Sequence, residues 1–215
     1  NKILWAKNYK VPFRSNLKMA KGKLLAANQN NILFFFDINT GEILKTIPTE
    51  ETTLNNQFVN NLSLGMKSAF FLNTYGSLYS VDVVTMKLNW FINLNQSFDL
   101  NPNELFTSKQ IINDNGKIVI SSSFFTYVIN SNNGSIIYKF NYNSTVKPLM
   151  VNNFLFSLTK NGLLISMNLD NGKIIYSYDI NQKIAKFFNV KKKLVSAKDI
   201  HIADDKILIF LNNSY

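Results

Sequence analysis

Asp37-Ile38-Asn39-Thr40-Gly41-Glu42-Ile43-Leu44-Lys45 is the stretch that decides the fold, because the chain says it again. It returns as Asp82-Val83-Val84-Thr85-Met86-Lys87-Leu88-Asn89-Trp90 and as Asn130-Ser131-Asn132-Asn133-Gly134-Ser135-Ile136-Ile137-Tyr138. A further copy is Asn168-Leu169-Asp170-Asn171-Gly172-Lys173-Ile174-Ile175-Tyr176, and Asn1-Lys2-Ile3-Leu4-Trp5 matches the tail of another. The closing residues Trp5, Lys45, Trp90, Tyr138 and Tyr176 fall 40, 45, 48 and 38 residues apart. A period of about 40 built from short strands marks a repeat architecture, which has to be read before any single motif.

Each unit cuts the same way. Between 104 and 141, strands are expected at 110–113, 117–122, 126–130 and 135–140, with turns at Asp114-Asn115-Gly116 and Asn132-Asn133-Gly134. Asn and Gly adopt the positive φ that tight hairpins need. The next unit repeats this at 148–151, 153–158, 163–168 and 173–178, and the first does so at 17–20, 23–27, 32–37 and 42–47. Four short antiparallel strands per unit make one blade of a β-propeller. The expected fold class is therefore all-β, a β-propeller of four-stranded antiparallel blades, with the chain as part of a seven- or eight-bladed propeller. The expected division is an outer strand of a preceding blade at 1–10, blades at 11–47, 55–92, 104–141 and 146–180, and an incomplete blade at 184–215. A five-bladed ring, with 1–10 completing the last blade, is the alternative. Trp5, Trp90, Tyr138 and Tyr176 are expected to fill the wedge between neighbouring blades, and Lys45 breaks that pattern.

Composition narrows the function. With 215 residues, 46% of them hydrophobic and 17% charged, the chain is able to bury a substantial core. The lack of Cys excludes disulfides, thiolate metal sites and a cysteine nucleophile, and no apolar run is long enough for a membrane helix. The net charge of +10 raises the question of an anionic partner. Arg14 is the only arginine, however, and bidentate phosphate or base recognition leans on arginine. The lysines are spread along the chain, and Lys191-Lys192-Lys193 reads as a solvated loop, so the charge is read as background and no nucleic-acid partner is expected. His201, the single histidine, sits in an alternating stretch at 199–203 and is expected in a core or facing a channel. Glu50-Glu51 and Asp204-Asp205 are adjacent pairs, not separated carboxylates placed for acid–base work. Asp37 and Asp82 are expected to hold turn amides and not a metal. No catalytic residue, metal or cofactor is expected, and the chain is read as a non-enzyme.

Gly76-Ser77-Leu78-Tyr79-Ser80-Val81-Asp82, followed by Trp90, resembles the PQQ-type repeat named after the pyrroloquinoline-quinone dehydrogenases. Asp37 to Gly41 supplies the Asp-x-x-Thr-Gly half, and 162–176 is a weaker copy, so the resemblance runs over essentially the whole chain. It implies the propeller and leaves two branches. The quinone-dependent dehydrogenases carry a Ca²⁺ site, a catalytic carboxylate and often a vicinal disulfide, none of which is visible here. The other branch, the BamB-type lipoproteins, comprises non-catalytic scaffold propellers of the outer-membrane β-barrel assembly machinery in Gram-negative bacteria.

Inter-blade spacing looks like the middle blades of that second branch. The connection at 93–109 is long, that at 141–147 is short, and that at 48–57 is extended and polar. Long loops of this branch dock on the periplasmic POTRA domains of the barrel-inserting subunit. The resemblance thus implies partner-binding residues Thr49, Glu50, Glu51, Thr52 and Leu54 in the first loop. In the second it implies Leu100, Asn103, Glu104, Leu105 and Phe106. It further implies unfolded outer-membrane proteins as partners and a location on the periplasmic face of the outer membrane. Attachment to the membrane would be only through a lipid anchor upstream of residue 1. Thr107-Ser108-Lys109 stands where this branch has acidic side chains. Plain connections with Leu105 and Phe106 turned inward are the alternative for these loops.

Overall fold

The computed structural model describes residues 3–52, 61–95 and 105–212. The chain forms two compact units, Asn1–Thr107 with Ser131–Ser135, and Ser108–Asn130 with Ile136–Tyr215.

The first unit holds two antiparallel meanders. One runs β1 (Lys18–Ala20), β2 (Lys23–Ala27), β3 (Leu33–Asp37) and β4 (Ile43–Ile47). The other runs β5 (Asn61–Leu64), β6 (Ser68–Leu72), β7 (Ser77–Asp82) and β8 (Leu88–Asn93). The middle strands are rich in aromatic and β-branched residues because they are covered on both faces. Leu25, Ala27, Leu33, Phe35, Leu62, Phe71 and Val81 make one core shared by the two sheets. Residues 3–10 form no strand among the described residues, contrary to the outer strand expected at 1–10. Aromatic contacts hold this segment instead. Tyr9 and Phe13 meet edge to face at 5.2 Å, and Phe13 packs on Phe34 and Phe36, which stack on each other at 5.7 Å.

The second unit repeats the design. Its sheets are β9 (Ile112–Asp114), β10 (Lys117–Ser121), β11 (Thr126–Asn130) and β12 (Ile136–Phe140), then β13 (Leu149–Val151), β14 (Phe154–Leu158), β15 (Leu163–Asn168) and β16 (Ile174–Asp179). A two-stranded sheet follows, β17 (Ala197–Ala203) with β18 (Lys206–Leu211). Val119, Val128, Leu155, Met167 and Leu169 form one core. Val146, Leu158, Leu164 and Ile200 form another, which seats the last sheet. In all four complete sheets the third strand shifts register against the fourth at the same place, between Phe35/Phe36, Ser80/Val81, Val128/Ile129 and Ser166/Met167. A bulge repeated at one position belongs to the design of the unit.

The sequence did not announce α1 (Ile180–Phe188), a nine-residue helix between β16 and β17. Asp179 caps it by accepting from the Gln182 amide at 2.9 Å, and Asn189 ends it in the left-handed region. Its buried positions, Asn181 and Ala185, show the four-residue spacing of a helix over too few turns to stand out in the sequence.

The quoted phrase explains itself once its side chains are followed. Trp5 lies on Gly41, and its indole donates to the Ile38 carbonyl at 2.9 Å. Trp90 lies on Gly134 and donates to the Ser131 carbonyl at 3.2 Å. Tyr138 lies on Gly172, and its hydroxyl donates to the Asp170 carbonyl at 2.9 Å. Each of these three aromatics therefore covers the glycine turn of the phrase after its own, whereas Tyr176, which ends the last phrase, is exposed. A ring set this close leaves no room for a Cβ, and the turn demands positive φ, so both constraints select glycine. Lys45 is the exception, and the phrase after it carries the matching one. Met86, with φ +56°, stands where the others have glycine.

Candidate functional site

The two loops singled out from the sequence meet at one place, the turn between β6 and β7. Asn73 makes this turn by accepting from the Tyr75 amide at 3.0 Å and the Ser77 amide at 2.9 Å. Glu50, leaving β4 along the first loop, reaches over it. Its carboxylate accepts from the Asn73 side chain, from Ser77 Oγ at 2.8 Å and from the Tyr79 hydroxyl at 3.1 Å. Asn31, fully buried in the turn before β3, ties the same loop down from the other side. Its amide donates to the Glu50 carbonyl at 2.9 Å and to Thr74 Oγ1 at 2.7 Å, while its Oδ1 accepts from the Thr74 amide at 3.3 Å. Thr49 Oγ1 donates to the Asn31 carbonyl at 2.6 Å.

The end of the second loop arrives at the same turn. The Phe106 amide donates to the Thr74 carbonyl at 2.9 Å, and the Phe106 ring covers Gly76, where a Cβ would come within 2.8 Å of the ring. Phe106 and Leu105 are half-buried. Phe106 is thus turned onto the blade, as the plain-connection alternative has it. Thr52 is buried and Glu51 exposed. Leu54, Leu100, Asn103 and Glu104 lie outside the described residues. Thr49, Glu50 and Phe106 therefore anchor the bases of the loops. Reading the sequence for loops missed Asn31, Asn73, Thr74, Ser77 and Tyr79, which receive them. The available signal was the pair of Asn-bearing turns, Asn30-Asn31 and Asn73-Thr74-Tyr75-Gly76.

Electrostatics mark this node as a clamp. Burial, the nearby Glu50 charge and the hydrogen bond to that carboxylate push the Tyr79 hydroxyl up to about 12 from 10.0. Since the folded state holds the proton more tightly, this contribution to stability is intact below pH about 10. It is lost as pH climbs through about 12. Ultraviolet titration of the tyrosines should lose a late-ionising group in Tyr79→Phe, and Glu50→Gln should move that group down toward its ordinary value, while Tyr127 and Tyr142, which burial also raises, keep theirs. An unchanged titration in Glu50→Gln would disprove the clamp. Its oxygens are engaged by three side-chain donors, which occupies Glu50 in holding the loop.

Other candidate groups resolve into local structure. Asp37 accepts from the Asn39 and Thr40 amides, each at 2.9 Å, and Asp82 from the Val84 and Thr85 amides. These amides hold both carboxyls below the ordinary carboxylate range, as expected of turn-forming aspartates. His201 lies on an exposed face of β17, paired with Asp199 at 3.0 Å and edge-on to Phe210, and not in a core. Alternation put it on a strand correctly but left open which face the sheet would cover. Among the described residues no group of three His, Cys, Asp or Glu side chains gathers as a metal site.

No protein-family model matches the sequence, and no curated protein matches it. Solved structures do. BamB from Moraxella catarrhalis matches over 97% of this chain and 61% of its own, with a TM-score of 0.63 at 10% identity. The quinohemoprotein alcohol dehydrogenase ADHIIG from Pseudomonas putida HK5 matches over 95% and 39%, with a TM-score of 0.67 at 10% identity. The quinohemoprotein alcohol dehydrogenase from Comamonas testosteroni matches over 94% and 40%, with a TM-score of 0.65 at 11% identity. The chain spans about three fifths of the BamB structure and about two fifths of each dehydrogenase. These likenesses show the fold, the β-propeller that the repeated phrase predicts.

Proposed function

We propose that this propeller is a non-catalytic scaffold that binds other proteins through its two long inter-blade loops and assists the assembly and insertion of outer-membrane β-barrel proteins. One observation carries the reading. Glu50 and Phe106, which lie 56 residues apart in sequence on the two loops, are both anchored on the single turn Asn73–Ser77. Loops rooted side by side on sheet are the usual place for binding residues. Buried anchors spend their polar groups on one another, which suits presentation of a loop and not turnover of a substrate.

Under this reading the partner is the POTRA region of the barrel-inserting subunit, with unfolded outer-membrane proteins as further clients. The location is the periplasmic face of the outer membrane. Leu54, Leu100 and Leu105 supply the apolar centre of the contact, and Asn103 and Glu104 its polar rim. Immobilised POTRA domains should capture the chain, and alanine at Leu54, Leu100 or Leu105 should each weaken capture about tenfold, an apolar anchor's share of about 1.4 kcal/mol. Capture that is absent, or untouched by all three substitutions, refutes the scaffold reading. The likeness to quinohemoprotein dehydrogenases supports a second reading, part of a PQQ-dependent dehydrogenase. Titration with the quinone and Ca²⁺ separates the two, since the scaffold should give no quinone absorbance change and no dye reduction.

A further inference from the structure

Helix α1 and the segment after it hold a surface that the loop-scaffold reading does not use. Phe187 is 83% exposed, Leu194 67%, Val190 58% and Phe188 50%. Lysines interleave with them at 183, 186, 191, 192 and 193, and no acidic residue occurs from Ile180 to Lys198. Soluble surfaces scatter single apolar side chains, but four large ones within eight residues form a patch that asks for a partner.

The patch is held firmly. Asp179, the helix cap, is bound by Lys192 at 2.6 Å, and this ammonium together with the Gln182 amide keeps its carboxyl below the ordinary range. Asn181 donates to the Asn161 carbonyl at 3.2 Å and accepts from the Val195 amide at 2.9 Å, pinning both ends of the segment to the fourth complete sheet. The Val190 amide closes the helix end on the Ala185 carbonyl at 2.9 Å. The exposed phenylalanines pack on each other edge to face at 5.0 Å, so the apolar tip is a preformed shape and not a loose tail.

We infer that this tip is an interfacial anchor for an anionic lipid surface. Such a bilayer offers in one place what the tip presents. Its apolar boundary accepts Phe187, Val190 and Leu194, and its headgroup charge attracts the surrounding lysines. Lysine stems suit the geometry, since they lie along apolar surface while their ammonium groups stay in water. A nucleic acid satisfies the lysines but offers no apolar depth to Val190 and Leu194, and an acidic protein surface likewise answers only the charge. The inference is independent of the loop-scaffold reading and adds a second contact with the membrane to the upstream lipid anchor that reading expects.

Flotation of the 215-residue chain with vesicles tests it. Binding is expected with phosphatidylglycerol–phosphatidylcholine vesicles and not with phosphatidylcholine alone, and it should weaken as salt is raised. Phe187→Ser with Phe188→Ser should reduce binding at least about tenfold, and so should Lys191→Glu with Lys193→Glu. These side chains are exposed, so circular dichroism melts of both variants should match the parent. Equal binding to neutral vesicles overturns the inference, as does no binding to anionic ones. Loss in the lysine variant alone also overturns it and marks a purely electrostatic surface of the kind an acidic protein would contact.

Discussion

Gly134→Ala is expected to lower the stability of the unit it belongs to by about 2–4 kcal/mol, against about 1 kcal/mol for Gly22→Ala. Both glycines have positive φ, +75° and +70°, so alanine meets a similar backbone penalty at each. They differ in what lies above them. At Gly22 nothing comes within 4 Å of an added Cβ, whereas at Gly134 the Cβ would lie 2.6 Å from Trp90 Cε3. Trp90 has little room to retreat, because its indole also donates to the Ser131 carbonyl. Denaturant unfolding of both variants measures the difference. Equal losses would mean that the ring does not press on the turn, and the account of why the phrase carries glycine would fail. Pairing Gly134→Ala with Trp90→Ala removes the clash and should recover part of the loss attributable to it, the non-additivity expected of residues in contact.

The other large effect is at Asn31. Asn31→Ala should cost about 2–5 kcal/mol. It removes three hydrogen bonds from a fully buried site and puts alanine at φ +66°, where asparagine is tolerated. Asn31→Gly separates the two contributions, for it keeps the backbone freedom and loses only the side chain. It should be less destabilising than Asn31→Ala by about 1 kcal/mol. Hydrogen exchange locates the damage. Faster exchange is expected at the Thr74 amide in both variants, with the hairpin amides of β2 and β3 little changed. Uniform acceleration across both sheets would instead mean that Asn31 supports the core and not the loop.

Blades were legible in the sequence because their signal repeats. Strand pattern and phrase spacing agree four times over, and Asn-Gly turns mark the third and fourth units, so an error in one unit is corrected by the others. The anchoring node was half legible. Loop length drew attention to Thr49, Glu50, Leu105 and Phe106, but what they reach lies eighteen or more residues away in turns whose composition is ordinary. Asn73 looks like any turn asparagine until the Glu50 carboxylate is found against it. Helix α1 was hidden for a different reason. Its short stretch, Ile180 to Phe188, mixes Ile, Phe and Lys much as the strands do, and only cap geometry at Asp179 and Asn189 distinguishes it. Lys45 was visible as an irregularity, and the contrast with the three ring-and-glycine pairs joined it to Met86 as one exception shared by two phrases.

The direction in which the aromatic rings reach has a consequence for synthesis. Trp5 covers a turn that ends at Gly41, Trp90 one at Gly134, and Tyr138 one at Gly172. Every latch points toward sequence translated later, so a newly made sheet stays unfastened until the ribosome has delivered the turn that its ring will cover. Lys45 imposes no such wait, which leaves the first two sheets free to come together on their shared apolar core alone. Folding is thereby expected to follow synthesis at each ring, the later turn fastening what precedes it.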